Sequence, residues 1–243
     1  MLGVFKNKGD KIMKRIIKNF LVLGLALMII FGTQVSTFAQ EQNINISSKE
    51  LKELRTNLQE LGIDVKTQDS LIKKLYNGEV WDSMNPNEIA KVPTDLLTPS
   101  INEPIKIYKF PDGSVIKREI KIPEDTNLIF RSPGSGYTTY RNVLISENNG
   151  TVGASFRADM GFAQEGYDEI LEVYDYQITV VAGSYSDVEL NIYRRKETST
   201  SPAYAYLRFH FTSNQGGIQL LDKTCYLKLY VQNDSYWSEC TNY

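Results

Sequence analysis

The sequence predicts a mainly β protein: an antiparallel β-sandwich of about eight or nine strands, preceded by a short helical hairpin. Three observations carry this. From Ile105 onward, apolar residues alternate with polar ones at period two, in run after run with no helical pattern between them. Asp112-Gly113 and Asn149-Gly150 separate pairs of such runs, and both dipeptides are tight-hairpin signals. Residues 47–78, in contrast, place leucines at helical spacing.

In the helical part, Ser47 followed by Glu50 is a capping-box pattern, and Leu51, Leu54, Leu58 and Leu61 form one apolar stripe. Gly62 stands where a left-handed C-terminal cap is wanted. Asp64 is the expected N-cap of a second helix over Val65 to Tyr76, with Leu71, Ile72 and Leu75 inward. Asn77-Gly78 ends it, and Trp81 is placed to close over the pair. Residues 40–84 therefore read as the hairpin. Pro86, Pro93, Pro99 and Pro104 punctuate 85–104, which reads as a linker or extended strap. The β-sandwich domain is 105–243. Its runs are IKIYKF, SVIKREIKI, YTTYRNVLIS, TVGASFRADMGF, EILEVYDYQITVVA, DVELNIYRR, AYAYLRFHFTS and TCYLKLYVQ. Their spacing at this length favours a sandwich over a barrel.

The first 39 residues have the order of a secretory signal peptide. Lys11, Lys14, Arg15 and Lys18 precede an uncharged apolar run from Phe20 to Phe31, and Thr37 and Ala39 are the small residues before the cut. The run falls short of the roughly 20 residues of a bilayer crossing, so cleavage is expected and not anchoring. Met13 offers an alternative start. Residues 1–39 hold six basic residues and one acidic, which leaves 21 basic against 28 acidic and a net charge of −7. No basic stripe is visible, which argues against nucleic acid and anionic membrane as partners. There is no cysteine near the cut and no Leu-Pro-x-Thr-Gly signal or hydrophobic tail toward Tyr243. The expected location is outside the cell, either released or held loosely on a wall.

Cys225 and Cys240 are the two cysteines. Export favours a disulfide between them, across a hairpin turning at Asn233-Asp234. Two cysteines and the single histidine, His210, do not make a metal ligand set.

The stretch GIDVKTQDSLIKKLYNGEVWDSMNP, from Gly62 to Pro86, resembles a segment found in exported proteins of Gram-positive bacteria. The part from about Tyr137 to Val231 resembles an uncharacterised family known only as a domain of unknown function. The resemblance implies compartment and fold. It carries no catalytic residues to this chain.

A search for chemistry finds little. A nucleophile triad needs a histidine between nucleophile and carboxylate, and His210 lies mid-strand in AYAYLRFHF. Paired carboxylates would suffice for glycoside chemistry; Asp159, Glu165, Asp168, Glu169, Glu172 and Asp175 are the densest acidic group, with solvated turn and strand charge as their plainer reading. GYDEILEVYD lacks the regular oxygen spacing of a calcium loop. The glycine-rich RSPGSGYTTY leads into a strand, so it reads as a turn and not as a phosphate cradle. No catalytic residue, metal or cofactor is assigned.

The tyrosines remain. By alternation Tyr204, Tyr206, Arg208 and His210 share one face of their strand; Tyr226 and Tyr230 share the face opposite Cys225, Leu227 and Leu229; Tyr193 faces outward with Glu189 and Asn191. If the strands are neighbours, these residues form a band mixed with Arg194, Arg208 and Lys228. Tyrosine supplies rigid amphipathic contact area with a hydrogen-bonding tip, although its β-propensity alone also places it on sheet faces. The favoured reading is a secreted, non-catalytic binding protein for a wall glycan, another glycan or a protein. A carbohydrate-active enzyme with paired carboxylates is the alternative, and a secreted toxin or bacteriocin-like effector a third.

Overall fold

The computed structural model describes residues 46–124, 129–132, 136–215 and 218–241. The described residues fall in one compact unit, Gln42–Tyr243. The signal-peptide pattern lies outside them.

The helical hairpin forms as its caps dictate. Helix α1 spans Ser48–Glu60, with the Ser47–Glu50 capping box complete and Gly62 at φ +73° just beyond its end. Helix α2 spans Val65–Tyr76; the Asp64 carboxylate accepts from the Thr67 N–H at 3.0 Å, and Gly78 turns the chain at φ +74°. Leu54, Leu58, Leu71, Ile72 and Leu75 are buried together. Trp81 is fully buried over them and its indole N–H donates to the Leu71 carbonyl at 2.8 Å.

Ten strands follow: β1 (Ile105–Lys109), β2 (Val115–Lys121), β3 (Ile129–Ser132), β4 (Tyr137–Asn148), β5 (Val152–Ala163), β6 (Glu169–Val180), β7 (Gly183–Arg194), β8 (Ala203–Gln215), β9 (Ile218–Gln232) and β10 (Ser235–Thr241). The four-residue β3 and the C-terminal β10 are the strands absent from the periodic runs, β10 being implied only by the expected hairpin at Asn233-Asp234. One antiparallel sheet has the order β1-β2-β4-β5-β6, with β3 paired to β4; the other has the order β10-β9-β8-β7. Between them Ile145, Phe156, Met160, Leu207, Phe209, Leu227 and Leu229 form the core. The inner rows also hold an ion pair: Arg118 Nε lies 2.5 Å from Glu147 Oε2, and Arg118 Nη1 donates to the Leu97 carbonyl at 2.9 Å.

Both signalled hairpins form, with three- and five-residue connections instead of two-residue ones. The reason is docking: each turn packs on the helices. A Cβ on Gly113 would collide with Thr67 Cγ2, and one on Gly150 would sit 2.7 Å from Leu58 Cδ2. Asp112 fastens the first turn, accepting from Lys74 Nζ at 3.0 Å and from the Asp82 N–H at 3.1 Å. Asn57 Nδ2 donates to the Gly150 carbonyl at 3.1 Å and fastens the second. The helices are thus a cap on one end of the sandwich.

Residues 85–104 are the strap of the two readings, not a loose linker. They contain a one-turn helix α3 (Pro86–Ile89), bury Val92 and Leu97 against Phe110 and Ile116, and run beside the outer edge of β10. There the Ser238 N–H donates to the Pro99 carbonyl at 3.1 Å and the Ile101 N–H donates to the Tyr236 carbonyl at 3.2 Å. Edge strands expose unpaired backbone groups, and the strap satisfies part of this one.

The expected disulfide is not formed: Cys225 and Cys240 are both thiols. The Asn233-Asp234 turn does close the β9–β10 hairpin, both residues having positive φ (53° and 56°). Its register sets Cys240 opposite Leu227, two positions from Cys225. Such diagonal neighbours stand about 7–8 Å apart, whereas a disulfide needs Cα atoms within about 7 Å. Burial pushes the Cys225 thiol up to about 12. Burial, and after it the Glu147 carboxylate, holds Cys240 well above the usual thiol range. Cys225 is thus a buried core thiol and Cys240 a half-buried one packed against the core, and a raised thiol is a poor nucleophile.

Candidate aromatic binding face

The outer face of the β7–β10 sheet carries the candidate site. Strict alternation along β8 and β9 sends Leu207, Phe209, Leu227 and Leu229 into the core and leaves every second residue outside. The register then assembles rows across the sheet. Arg194, Tyr204, Tyr230 and Trp237 lie opposite one another on β7, β8, β9 and β10. The next row is Asn191, Tyr206, Lys228 and Glu239; the one after is Glu189, Arg208, Tyr226 and Thr241. The structure thus brings Tyr204, Tyr206, Arg208, Tyr226 and Tyr230 onto one surface.

Ring geometry shows how they share it. Tyr204 and Tyr230 have centroids 5.0 Å apart and planes 13° from parallel; Tyr230 and Trp237 have centroids 5.1 Å apart and planes 15° from parallel. Coplanar rings side by side do not approach this closely, so the three overlap in the offset-stacked arrangement aromatic pairs favour. The Trp237 indole N–H donates to Glu239 Oε1 at 3.3 Å. Tyr206 lies 5.7 Å from Tyr204 and 6.0 Å from Tyr226. Lys228 Nζ stands 5.5 Å from the centre of the Tyr226 ring, within cation–π range.

Tyr193 reaches the group by a different route. β7 is irregular between Ile192 and Arg194, so Arg194 takes the place opposite Tyr204 and Tyr193 is the extra residue of a bulge. The residue is 69% exposed and its ring centroid lies 5.6 Å from that of Tyr204. A second irregularity between Ser186 and Glu189 contains Asp187 at φ +51°.

The polar groups of the face are mutually engaged. The Tyr206 hydroxyl donates to Glu189 Oε1 at 2.6 Å, and Arg208 Nη1 lies 3.7 Å from Glu189 Oε2. That hydrogen bond raises the Tyr206 phenol and lowers the Glu189 carboxyl. Burial, then the neighbouring phenols, pushes Tyr204 up to about 12; burial, then Glu239, does the same for Tyr230. Tyr204, Tyr206 and Tyr230 are therefore phenols, not phenolates, at physiological pH.

His210 sits near the middle of β8, opposite Ser186 and Thr224, with Nε2 2.7 Å from Asp222 Oδ1. Serine, histidine and aspartate thus meet on the sheet surface. The Ser186 hydroxyl, however, donates to Asp187 at 3.1 Å, so the nucleophile–base hydrogen bond that a triad requires is replaced.

Of the acidic group between Asp159 and Asp175, Asp159 and Glu172 lie opposite each other on β5 and β6 and line one shallow pocket with Arg141, Asn142 and Tyr174, while Asp168 and Glu169 are engaged elsewhere. Asp159 accepts from the Tyr174 hydroxyl and the Asn142 N–H, both at 2.9 Å. Glu169 accepts from Tyr137 at 3.0 Å. Asp168 is buried and accepts the Ala163 and Asp234 N–H groups at 3.0 and 2.6 Å; Glu197 beside it accepts those of Asp168 and Asn233. These two carboxylates clamp the β9–β10 turn. Burial raises the Asp168 carboxyl. Among the described residues, no group of three or more histidine, cysteine, aspartate or glutamate side chains is arranged to hold a metal ion.

Trp237 is the site residue that alternation alone missed. Its place depends on the β9–β10 register, which puts Tyr236 inward and Trp237 outward opposite Tyr230. The signal was the Asn233-Asp234 turn: a two-residue turn sets Ser235 opposite Gln232 and fixes every later pair.

No family model matches the chain, and no curated protein matches it. Among solved structures, the hypothetical protein lmo2686 from Listeria monocytogenes EGD-e is similar over 59% of this chain and 95% of that one, at 16% identity and a TM-score of 0.32. A likeness of that size says nothing of what either chain binds.

Proposed function

We propose that the protein is an exported, non-catalytic binding protein whose recognition surface is the aromatic face of the β7–β10 sheet, directed at a cell-wall glycan, another glycan or a protein surface. The observation that carries this reading is the row Tyr204–Tyr230–Trp237, which crosses three adjacent strands and is flanked by Tyr193, Tyr206 and Tyr226. Six half-buried or exposed aromatic rings on one surface give a large contact area at small entropic cost, the composition enriched where proteins bind partners. Offset stacking covers much of the ring faces, so recognition runs through ring edges and hydroxyls more than through flat sugar–ring contact. Export rests on the basic, apolar and small-residue order of residues 1–39, and a Gram-positive wall on the resemblance of residues 62–86.

Hydroxyl-radical footprinting of the protein with and without isolated Gram-positive cell-wall sacculi tests the reading. Tyr193, Tyr206 and Trp237 are expected to be protected together, while Tyr176 on β6, 48% exposed in the other sheet, stays reactive. Equal modification with and without sacculi removes the wall as the target; protection of Tyr176 alone assigns the contact to the other sheet.

A further inference from the structure

On the opposite side of the sandwich, the outer face of the β1–β6 sheet is not flat. The C-terminal end of α1, at Glu60 and Leu61, stands beside it and encloses a cleft of about 400 Å³, within the size range of small-ligand sites. Its floor is two adjacent cross-strand rows. Asn148, Gly153 and Thr179 lie in register on β4, β5 and β6, and Ser146, Ser155 and Gln177 lie in the next row. Lys117 and Glu119 extend the rows onto β2. Four strands at the usual spacing make the floor about 14 Å long, and two residues of rise separate the rows by about 7 Å.

Three features give this cleft a chemistry. The ion pair of Lys117 and Glu119, 3.0 Å apart, cancels charge within the floor, and the Glu60 carboxylate at the wall disfavours an anion. The side chains of Ser146, Ser155, Gln177 and Thr179 make no hydrogen bond to another described residue. They present hydroxyl and amide groups that both donate and accept, the pattern that vicinal hydroxyls match. Finally, Gly153, the second residue of β5, leaves its place in the floor without a side chain. No neighbour occupies the space: a Cβ there would meet nothing nearer than 3.7 Å.

We propose that this cleft is a second binding site, separate from the tyrosine face, and that it takes a short neutral oligosaccharide. Hydroxyls of the sugar pair with the serine, threonine and glutamine side chains, and its C–H surface lies against Leu61 and Leu144 on the wall and floor. The absent side chain of Gly153 leaves room for a pyranose ring directly over β5.

An amide NMR titration of the protein with maltotriose, mannotriose and N-acetylchitotriose tests the assignment, each taken to about 10 mM, ten times a Kd of about 1 mM. At least one is expected to shift the amides of Gly153, Ser155 and Gln177. Gly153→Gln, which the open space accommodates without backbone strain, is expected to keep the spectrum of the fold and raise Kd at least about tenfold. Tyr204→Ala/Trp237→Ala is expected to leave this titration unchanged, so that failure of the tyrosine face and failure of the cleft are told apart. Three outcomes overturn the proposal: none of the three sugars shifts those amides, Gly153→Gln binds as the parent does, or the tyrosine-face variant alone loses the response.

Discussion

Tyr204 stacks on Tyr230 across the β8–β9 ladder, ring centroids 5.0 Å apart and planes 13° from parallel, and Trp237 continues the stack on β10. The relationship joins fold to site. Cross-strand aromatic pairs stabilise a sheet, and the same half-buried rings make up the candidate surface.

The phenols of that stack are expected to ionise late. Burial pushes both Tyr204 and Tyr230 up to about 12, above the ordinary value of about 10. Because the folded value is raised, the favourable contribution is complete below pH 10 and is lost as pH rises through about 12. An ultraviolet titration of the parent against Tyr204→Phe/Tyr230→Phe checks this: the variant loses absorbance change from the highest-pH phase and not from the phase near 10. Loss from the earlier phase instead contradicts the burial of these rings.

The cap on the sandwich makes a stability prediction. Gly150 has φ +93°, and an added Cβ would lie 2.7 Å from Leu58 Cδ2. Gly150→Ala is expected to cost about 1–3 kcal/mol by overpacking and strain. Trp81→Ala empties the centre of the cap and removes the bond to Leu71, for about 3–5 kcal/mol. Urea unfolding measures both, and a Trp81→Ala protein as stable as the parent contradicts a cap integral to the fold.

Asp112 predicts acid sensitivity of the same junction. Burial alone raises its carboxyl, but hydrogen bonds from the Ser114 hydroxyl, the Asp82 and Ser114 N–H groups and Lys74 outweigh it and hold the group below the usual carboxylate range. A depressed folded value contributes stability above the unfolded pKa of about 3.9, and that stability is lost as pH falls through the folded one. Asp112→Ala is expected to lose about 1–3 kcal/mol at neutral pH. The gap to the parent narrows on acidification below about pH 4. A gap that stays constant down to full protonation contradicts this account.

The cysteines are expected to behave as core residues. Protein purified without reductant and then unfolded should show two titratable thiols, and neither should alkylate while the protein is folded, since burial raises both. An intact mass lower by two hydrogens, restored by reductant, contradicts the register that separates them.

Much of this was legible in the sequence because it is local. The Ser47–Glu50 and Asp64 caps fix their helices within a few residues, and alternation along β8 and β9 sorts Leu207 and Phe209 from Tyr204 and Tyr206 without knowledge of the fold. What was not legible depends on partners distant in the chain. Asp112-Gly113 and Asn149-Gly150 read as free hairpin turns, yet their loops are shaped by Thr67 and Leu58. The bulges at Asn142, Asp175 and Asp187 need positive φ at non-glycine residues, which asparagine and aspartate tolerate but do not announce. Trp237, and the diagonal placement of Cys225 and Cys240, are both consequences of the β9–β10 register. The strap reads as loose because its prolines forbid regular structure, while its backbone still pairs with β10 at Pro99 and Ile101.

Co-sedimentation of the purified protein with isolated Gram-positive sacculi, beside Tyr204→Ala/Trp237→Ala and the face-preserving Gly153→Gln, tests the central claim most directly. The parent and Gly153→Gln are expected to pellet with the wall, and the double variant, folded by circular dichroism, to stay in the supernatant. A folded double variant that pellets as the parent does contradicts the aromatic face as the recognition surface.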